Sequence, residues 1–562
     1  MGSALSNFQP EELAVFKSLP PKTTVEIPER PENRVPTDRK FLIVFGVFVV
    51  ALLPFLIYTL YYSDIHRIFR YYDQCGNICG KINGQQGQFE CSGQDFTNKR
   101  LLELSDVNGT KVDLYLAPRL CVSECSPGYD EVSGYCLKRN YDVNGSLKYY
   151  YYENNAWTSN LSGYLNYMAW RITLACSLSL AIGFTVLFLF RMATVVMVWG
   201  ILAGVLIFLA AAMGGCWYLY TQARSENSQG FLVLAIFATV MFLILLCLVV
   251  FFRKKIALVI VLLKESMKAT FAMPRLFLVP VLVLIAQLII LGAFTVTTIY
   301  MSSAGILAKQ TDFYLIYRKN FVMIFAIIFN GCITIWAAQF VTAINYMVVA
   351  GAVSKWYFAR DKNHLDSPIV TSTSITFKFH LGSVAFGSMI ITIIVIIRSI
   401  LSSLSRNRVV CFPAIERFVK FLSKNAYLLT AMHGQPFFKS GKRAVQIIIQ
   451  NVVNIAAVNF IGNFILFMAH LLVVLLSVFV TFLVMLGADG TYIEFVYLIV
   501  VLVSIVVAAI CFSIFETAID TIFLCFCEDC TLNDGMSRPY AMSTALMEFM
   551  DNSKTIFAKK KM

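Results

Sequence analysis

Long apolar runs, broken by short polar stretches, set the pattern of this chain. The first run is Phe41–Leu60, and others lie near 167–190, 193–220, 230–252, 276–301, 321–350, 379–397, 462–486 and 492–515. Each is long enough to cross the ~30 Å hydrocarbon core of a bilayer as a helix. Strand-like alternation is absent from them, and lipid admits only helices or closed barrels. The pattern predicts an all-α polytopic membrane protein of about ten transmembrane helices, with a disulfide-bonded extracellular loop domain between the first and second. Residues 1–39 form a disordered cytosolic tail punctuated by Pro20, Pro21, Pro28, Pro31 and Pro36. Residues 40–60 are the first span and 61–166 an extracellular cysteine-rich loop. Residues 167–515 are the helical bundle, and 516–562 a cytosolic tail.

Composition sharpens this picture. The chain is 58% hydrophobic and 14% charged, against ~25% charged for soluble domains. Its net charge of +13 needs no nucleic-acid partner, because cytosolic loops between spans retain Lys and Arg. The opening MGSALS offers Gly2 as a candidate myristoylation site.

Charge in the loops sets orientation. Connector 253–275 holds Arg253, Lys254, Lys255, Lys264, Lys268 and Arg275 against Glu265, and belongs in the cytosol. Within it, 253–270 reads as an amphipathic helix on the cytosolic surface. Counting back from this connector places loop 61–166 outside. Loop 302–320 also falls outside, although Lys309, Arg318 and Lys319 argue against that side. Segment 398–446 carries nine basic residues and one acid, Glu416. Its charge demands the cytosol, so a tenth crossing is needed, in 444–460 or within 411–432.

The external loop contains Cys75, Cys79, Cys91, Cys121, Cys125 and Cys136. An even set in an oxidising compartment predicts disulfides, with fifteen pairings open. A zinc site is the weaker alternative, because the C-x-x-x-C spacings are unsuited to it and His66 is the sole nearby histidine. Asn108, Asn144 and Asn160 begin sequons in the same loop, as glycosylation candidates. Elsewhere CFCEDC, Cys525–Cys530, suggests either a metal site or a reduced, palmitoylated cluster near the bilayer. We predict no metal and no cofactor.

Polar and aromatic residues inside spans are candidates for a transport pathway. In 321–350, Trp336, Gln339 and Tyr346 share one face, and Asn330 and Asn345 lie on a neighbouring one. Aromatic faces suit a methylated cation; alternatively, the amides merely join helices. His470, within a span, and Glu516, at the expected cytosolic end of the last one, are candidates for proton relay. Glu516 and Asp520 could instead form a boundary pair with segment 398–446.

Two stretches carry a resemblance. YDQCGNICG follows the first span and LCFCEDCTLNDGMSRPYAMSTAL follows the last; RKKIALVIVLLKESMKA, HLGSVAFGSMI and ERFVKFLSKNAYLLTAMHGQPFFKSGKRA lie between them. Together they resemble the choline transporter-like family, solute carrier family 44. Cys75 departs from the family pattern, which more often has an aromatic residue there. The resemblance implies ten spans and cytosolic ends. It also implies transport of choline, with ethanolamine and related cations, by proton-coupled exchange in support of phospholipid synthesis. The family's usual address is the plasma membrane, an organelle membrane being the alternative. Expected partners are a small organic cation and the bilayer. The competing reading is a non-transporting scaffold, receptor or channel of the same fold. An enzyme is not predicted: no G-x-S-x-G, H-E-x-x-H or nucleotide-binding glycine loop occurs.

Overall fold

A computed structural model describes residues 28–69, 71–85, 89–104, 119–132, 134–138, 167–222, 228–311, 314–362, 367–404, 411–450, 452–486, 493–533 and 539–548. Gly2, Asn108, Asn144 and Asn160 lie outside the described residues. The helices are α1 (Arg39–Tyr61), α2 (Ala169–Gln222), α3 (Ser228–Phe251), α4 (Arg253–Ala272), α5 (Leu278–Ser303) and α6 (Phe321–Phe358). There follow α7 (Pro368–Ile375), joined through a π-helical turn to α8 (Leu381–Leu404), then α9 (Cys411–His433), α10 (Phe437–Gln450), α11 (Val452–Val484) and α12 (Ile493–Leu532).

Among the described residues, eight helices are long and apolar enough to cross a membrane. One of them, α2, would measure ~80 Å if straight. It is broken at Ala193, whose backbone is non-helical, so its length suffices for two crossings. α9 is not among the eight, because it carries Glu416, Arg417, Lys420 and Lys424. Those charges are largely paired: Glu416 meets Arg398 of α8 and, at 2.7 Å, Lys420. The helix packs against α6 and α8, which buries Glu416 and half-buries Lys424, while Arg417 and Lys420 stay exposed.

α12 differs from expectation in length. It continues past 515 to Leu532, with residues 517–519 and 521–525 buried. Glu516 and Asp520 therefore lie within a helix and not at the start of a tail. Cys525 and Cys527 are buried among protein atoms, which removes them from the bilayer surface where acylation occurs.

The cysteine-rich loop forms a cap at one end of the bundle. Its strands β1 (Leu101–Leu104), β2 (Arg119–Val122), β3 (Tyr129–Val132) and β4 (Tyr135–Lys138) are ordered β2-β1-β4-β3. The β1–β4 pair is parallel and the other two pairs are antiparallel. Disulfides Cys75–Cys91, Cys79–Cys121 and Cys125–Cys136 select one of the fifteen pairings. The stretch DQCGNICG is laced by its own polar side chains. Asp73 accepts from the Cys75 and Asn77 backbone N–H groups at 2.9 and 2.7 Å, and Asn77 Oδ1 accepts from Gly93 N–H at 2.7 Å.

A hairpin between α5 and α6, β5 (Ile306–Thr311) and β6 (Tyr314–Arg318), docks on the cap. Tyr317 donates to Gly76 O at 2.7 Å, and Leu315 N–H to Gln74 O at 3.0 Å. This accounts for one of the three cations that argued against the outer side, Lys319. Lys319 donates to Ser302 O and Ala304 O, and Arg67 to Ser303 O and Gly305 O, so both neutralise the C-terminal carbonyls of α5.

The opposite end, the base, is closed by segments from across the sequence. Residues 28–38, expected to be part of a disordered tail, pack on the bundle. α4 is not a surface amphipath: Leu258, Val259, Leu262, Leu263 and even Glu265 and Ser266 are buried, because the helix is wedged against α2, α11 and α12. Beyond α12, Asp529 accepts from the Ala541 and Met542 N–H groups at 3.0 and 2.8 Å, folding residues 539–548 back onto the bundle. Glu528 receives two hydrogen bonds from Arg443, at 2.9 and 2.8 Å.

Candidate functional site

The five pathway candidates on α6 separate into different environments. Asn330 donates to Thr297 and Thr298 of α5 at 3.0 and 3.3 Å. Gln287 of α5 reaches back to Ala338 O and Thr342 at 2.8 and 3.2 Å. These are interhelical ties. Trp336 is buried, and its indole N–H points to Ser388 and Ala385 O of α8 at 3.1 and 3.3 Å. Phe45 and Phe48 from α1 pack against its ring in T-shaped contacts, with centroids 4.9 and 5.7 Å away. Gln339 is half-buried with no hydrogen-bond partner among the described residues. Asn345 is buried, and its Oδ1 has no partner among them either.

Tyr346 goes elsewhere, into a charged cluster formed by three helices. Lys424 Nζ of α9 lies 2.6 Å from Glu516 and 2.8 Å from Asp520, both on α12. The same ammonium sits over the Tyr346 ring, 5.5 Å from its centroid. The i, i+4 spacing puts both carboxylates on one face of α12. Side chains of Lys424 and Asp520 are 11% and 14% exposed, whereas Glu516 is 49% exposed although its helix neighbours are buried. The cluster is therefore enclosed on the Asp520 side and open on the Glu516 side.

His470, the other relay candidate, lies on α11, which packs against α12. Its Nδ1 lies 2.6 Å from Leu466 O. A carbonyl only accepts, so Nδ1 carries the hydrogen and Nε2 remains able to take a proton. Its ring also packs on Phe512, 5.0 Å between centroids.

The i, i+4 spacing of Glu516 and Asp520 predicts their pairing with segment 398–446, and Lys424 is the residue of that segment they meet. The sequence does not single out Lys424 among the nine basic residues there, nor bring Tyr346 to it.

Towards the base the helices close. Residues 347–350 and 352–354 of α6 and 425–432 of α9 are buried. Across this closure lies the strap, residues 28–38. Arg34 donates to Ala431 O and Met432 O, the last carbonyls of α9, at 2.8 and 3.3 Å. It also contacts His380 Nε2 at 3.1 Å. A guanidinium only donates, so His380 Nδ1 holds the ring hydrogen and gives it to Thr37, 2.9 Å away. Asp38 accepts from Ser383 Oγ and from Phe437 N–H at 2.7 and 2.8 Å. Burial lowers the Arg34 guanidinium to about 10 despite the nearby Glu29 carboxylate. An adjoining cavity of about 380 Å³ is lined by Arg34, Met347, Gly351, Lys355, Ser372 and His380, among others.

A family model described as plasma-membrane choline transporter matches residues 236–531, a range containing Tyr346, Lys424, Glu516 and Asp520. Choline transporter-like protein 1 of Torpedo marmorata is 28% identical over 615 residues, covering 93% of this chain and 94% of its own. The mouse protein of that name is 26% identical, with 93% of each covered. Choline transporter-like protein 2 of Dictyostelium discoideum is 27% identical, covering 92% of this chain and 94% of its own.

Proposed function

The chain belongs to the choline transporter-like family, and from that premise we propose that it carries choline across the membrane in exchange for a proton. The observation that supports this most is the cluster of one lysine, two carboxylates and a tyrosine ring inside the bundle. With both acids ionised it lacks one positive charge. A monovalent organic cation at the open Glu516 side supplies that charge, and so does a proton. The Tyr346 face contributes ~0.5–2 kcal/mol to holding a quaternary ammonium, which has no hydrogen to donate. Ethanolamine, a primary ammonium, would bond Glu516 directly. His470 gives protons a route to Glu516 after the cation leaves. Trp336, Asn330, Gln339 and Asn345 then shape the α6 wall and do not form the seat itself.

In this reading the cap faces outside and the base faces the cytosol. Disulfides gather at the cap, and Lys355, Lys439 and Lys442 lie towards the base, as insertion requires. The molecule is a carrier, not an enzyme, of the plasma membrane. Labelled choline uptake into cells expressing the chain tests it, with and without an imposed pH gradient. Uptake above empty cells that rises when the inside is made acidic is expected. No uptake above empty cells would favour a scaffold or receptor role for the same fold.

A further inference from the structure

We propose that Lys424 is the specificity-determining residue of the seat: by holding one of the two carboxylates as a permanent tethered cation, it restricts the site to cargo bearing a single positive charge. The proposal rests on the transport reading above and adds the charge class of the cargo.

The geometry assigns the two acids different roles. Asp520 is enclosed, and the Lys424 ammonium is its close partner at 2.8 Å. Glu516 accepts from the same ammonium at 2.6 Å, yet half of its side chain faces open space. A buried carboxylate stripped of its partner is costly, so Lys424 stays with Asp520. The exposed Glu516 can exchange the shared ammonium for a cation arriving from the open side. Tyr346, under the lysine ammonium, then offers its face to the newcomer.

Charge counting follows. With Lys424 present, the seat accepts one positive charge. Without it, two carboxylates on adjacent turns of α12 are unbalanced, and both lay within reach of a single nitrogen. A short diamine can bridge such a pair, with one ammonium on each acid. The lysine therefore excludes dications by occupying the place of their second charge.

The probe pair is propylamine and 1,3-diaminopropane, which share a three-carbon chain and differ by one charge at neutral pH. Each is titrated against labelled choline bound to the purified full-length protein. In the wild type propylamine should compete at least as well as the diamine. In Lys424→Met the diamine should gain tenfold or more relative to propylamine. The double variant Lys424→Met/Asp520→Asn has one carboxylate again and should return to the wild-type ratio. It also leaves no unpaired buried acid, so it keeps the test open if the single variant fails to fold. A ratio is insensitive to the amount of folded protein, which a merely structural lysine would change. An unchanged ratio in Lys424→Met would overturn the proposal, as would a double variant that still prefers the diamine. Wild-type protein that binds no choline would instead remove the transport reading, and this inference with it.

Discussion

The two ends of the bundle are closed by different chemistry. At the cap, three disulfides pin a four-stranded sheet, and the hairpin after α5 is hydrogen-bonded to it. At the base, closure depends on reversible polar contacts: Arg34 on the end of α9, Asp38 on α8 and α10, and Arg443 on Glu528. A carrier must let its helices part at each end in turn. The disulfides knit the cap covalently within itself, and hydrogen bonds from Tyr317, Leu315 and Arg67 join it to the hairpin and to the ends of α1 and α5. The base can separate at the cost of a handful of hydrogen bonds, each worth ~1 kcal/mol net. The crosslinked core of the cap therefore costs more to open than the base does.

Perturbing each end separately breaks or sharpens that contrast. The largest effect is expected from Cys79→Ser/Cys121→Ser, which opens the crosslink of 42-residue separation. The cap should lose about 2–5 kcal/mol, seen as proteolysis within 71–138 before the helices melt. Next comes Glu528→Gln, which weakens the paired bonds from Arg443. About 2–3 kcal/mol of stability should be lost, as a fall in the thermal midpoint with the cap still resistant to protease. Gly382→Ala is the sharper test of the base. An added Cβ would collide with the Thr37 and Asp38 backbone, so the strap must lift. Amides of residues 29–38 should exchange about 10-fold faster, equivalent to ~1.4 kcal/mol, while those of the cap do not change. Trp336→Phe removes one indole donor and should cost about 1 kcal/mol with the choline KM unaltered. A raised KM would return Trp336 to the seat.

The smallest effect concerns pH. Burial would raise the Asp64 carboxyl, but the Lys81 hydrogen bond, the His66 N–H and the charges of Lys81 and Arg67 outweigh it and hold it below its ordinary value. A carboxyl lowered on folding stabilises fully above its unfolded pKa of ~3.9, and that stability is lost as pH falls through the folded value. Cap stability should thus be unaffected by Asp64→Asn at acid pH below both values, and modestly reduced by it at neutral pH. Thermal melts at the two pH values check the sign.

How much of this was legible in the sequence depends on what covers each segment. Spans facing lipid, such as α1 and α3, read directly because lipid enforces apolarity. α9 and the second half of α12 did not, because they carry charges that ion pairs within the protein hold: Glu416 with Arg398 and Lys420, and Lys424 with Glu516 and Asp520. The cysteines announced a crosslinked cap but not its pairing, which depends on the strands carrying Cys121 and Cys136. The strap was unreadable: Arg34, Thr37 and Asp38 sit among prolines, and their partners at His380, Ala431 and Phe437 are more than 300 residues away. On α6 periodicity grouped Trp336 and Tyr346 on one face, but it could not say that Trp336 meets α1 and α8 while Tyr346 meets Lys424.

The central claim is that Glu516 is the exposed half of a cation seat. Labelled choline uptake by Glu516→Gln, compared with the wild type at matched surface abundance, tests it most directly. The account predicts at least a tenfold fall, because the side chain keeps its shape and loses the charge that the cargo balances. Uptake equal to that of the wild type would contradict it.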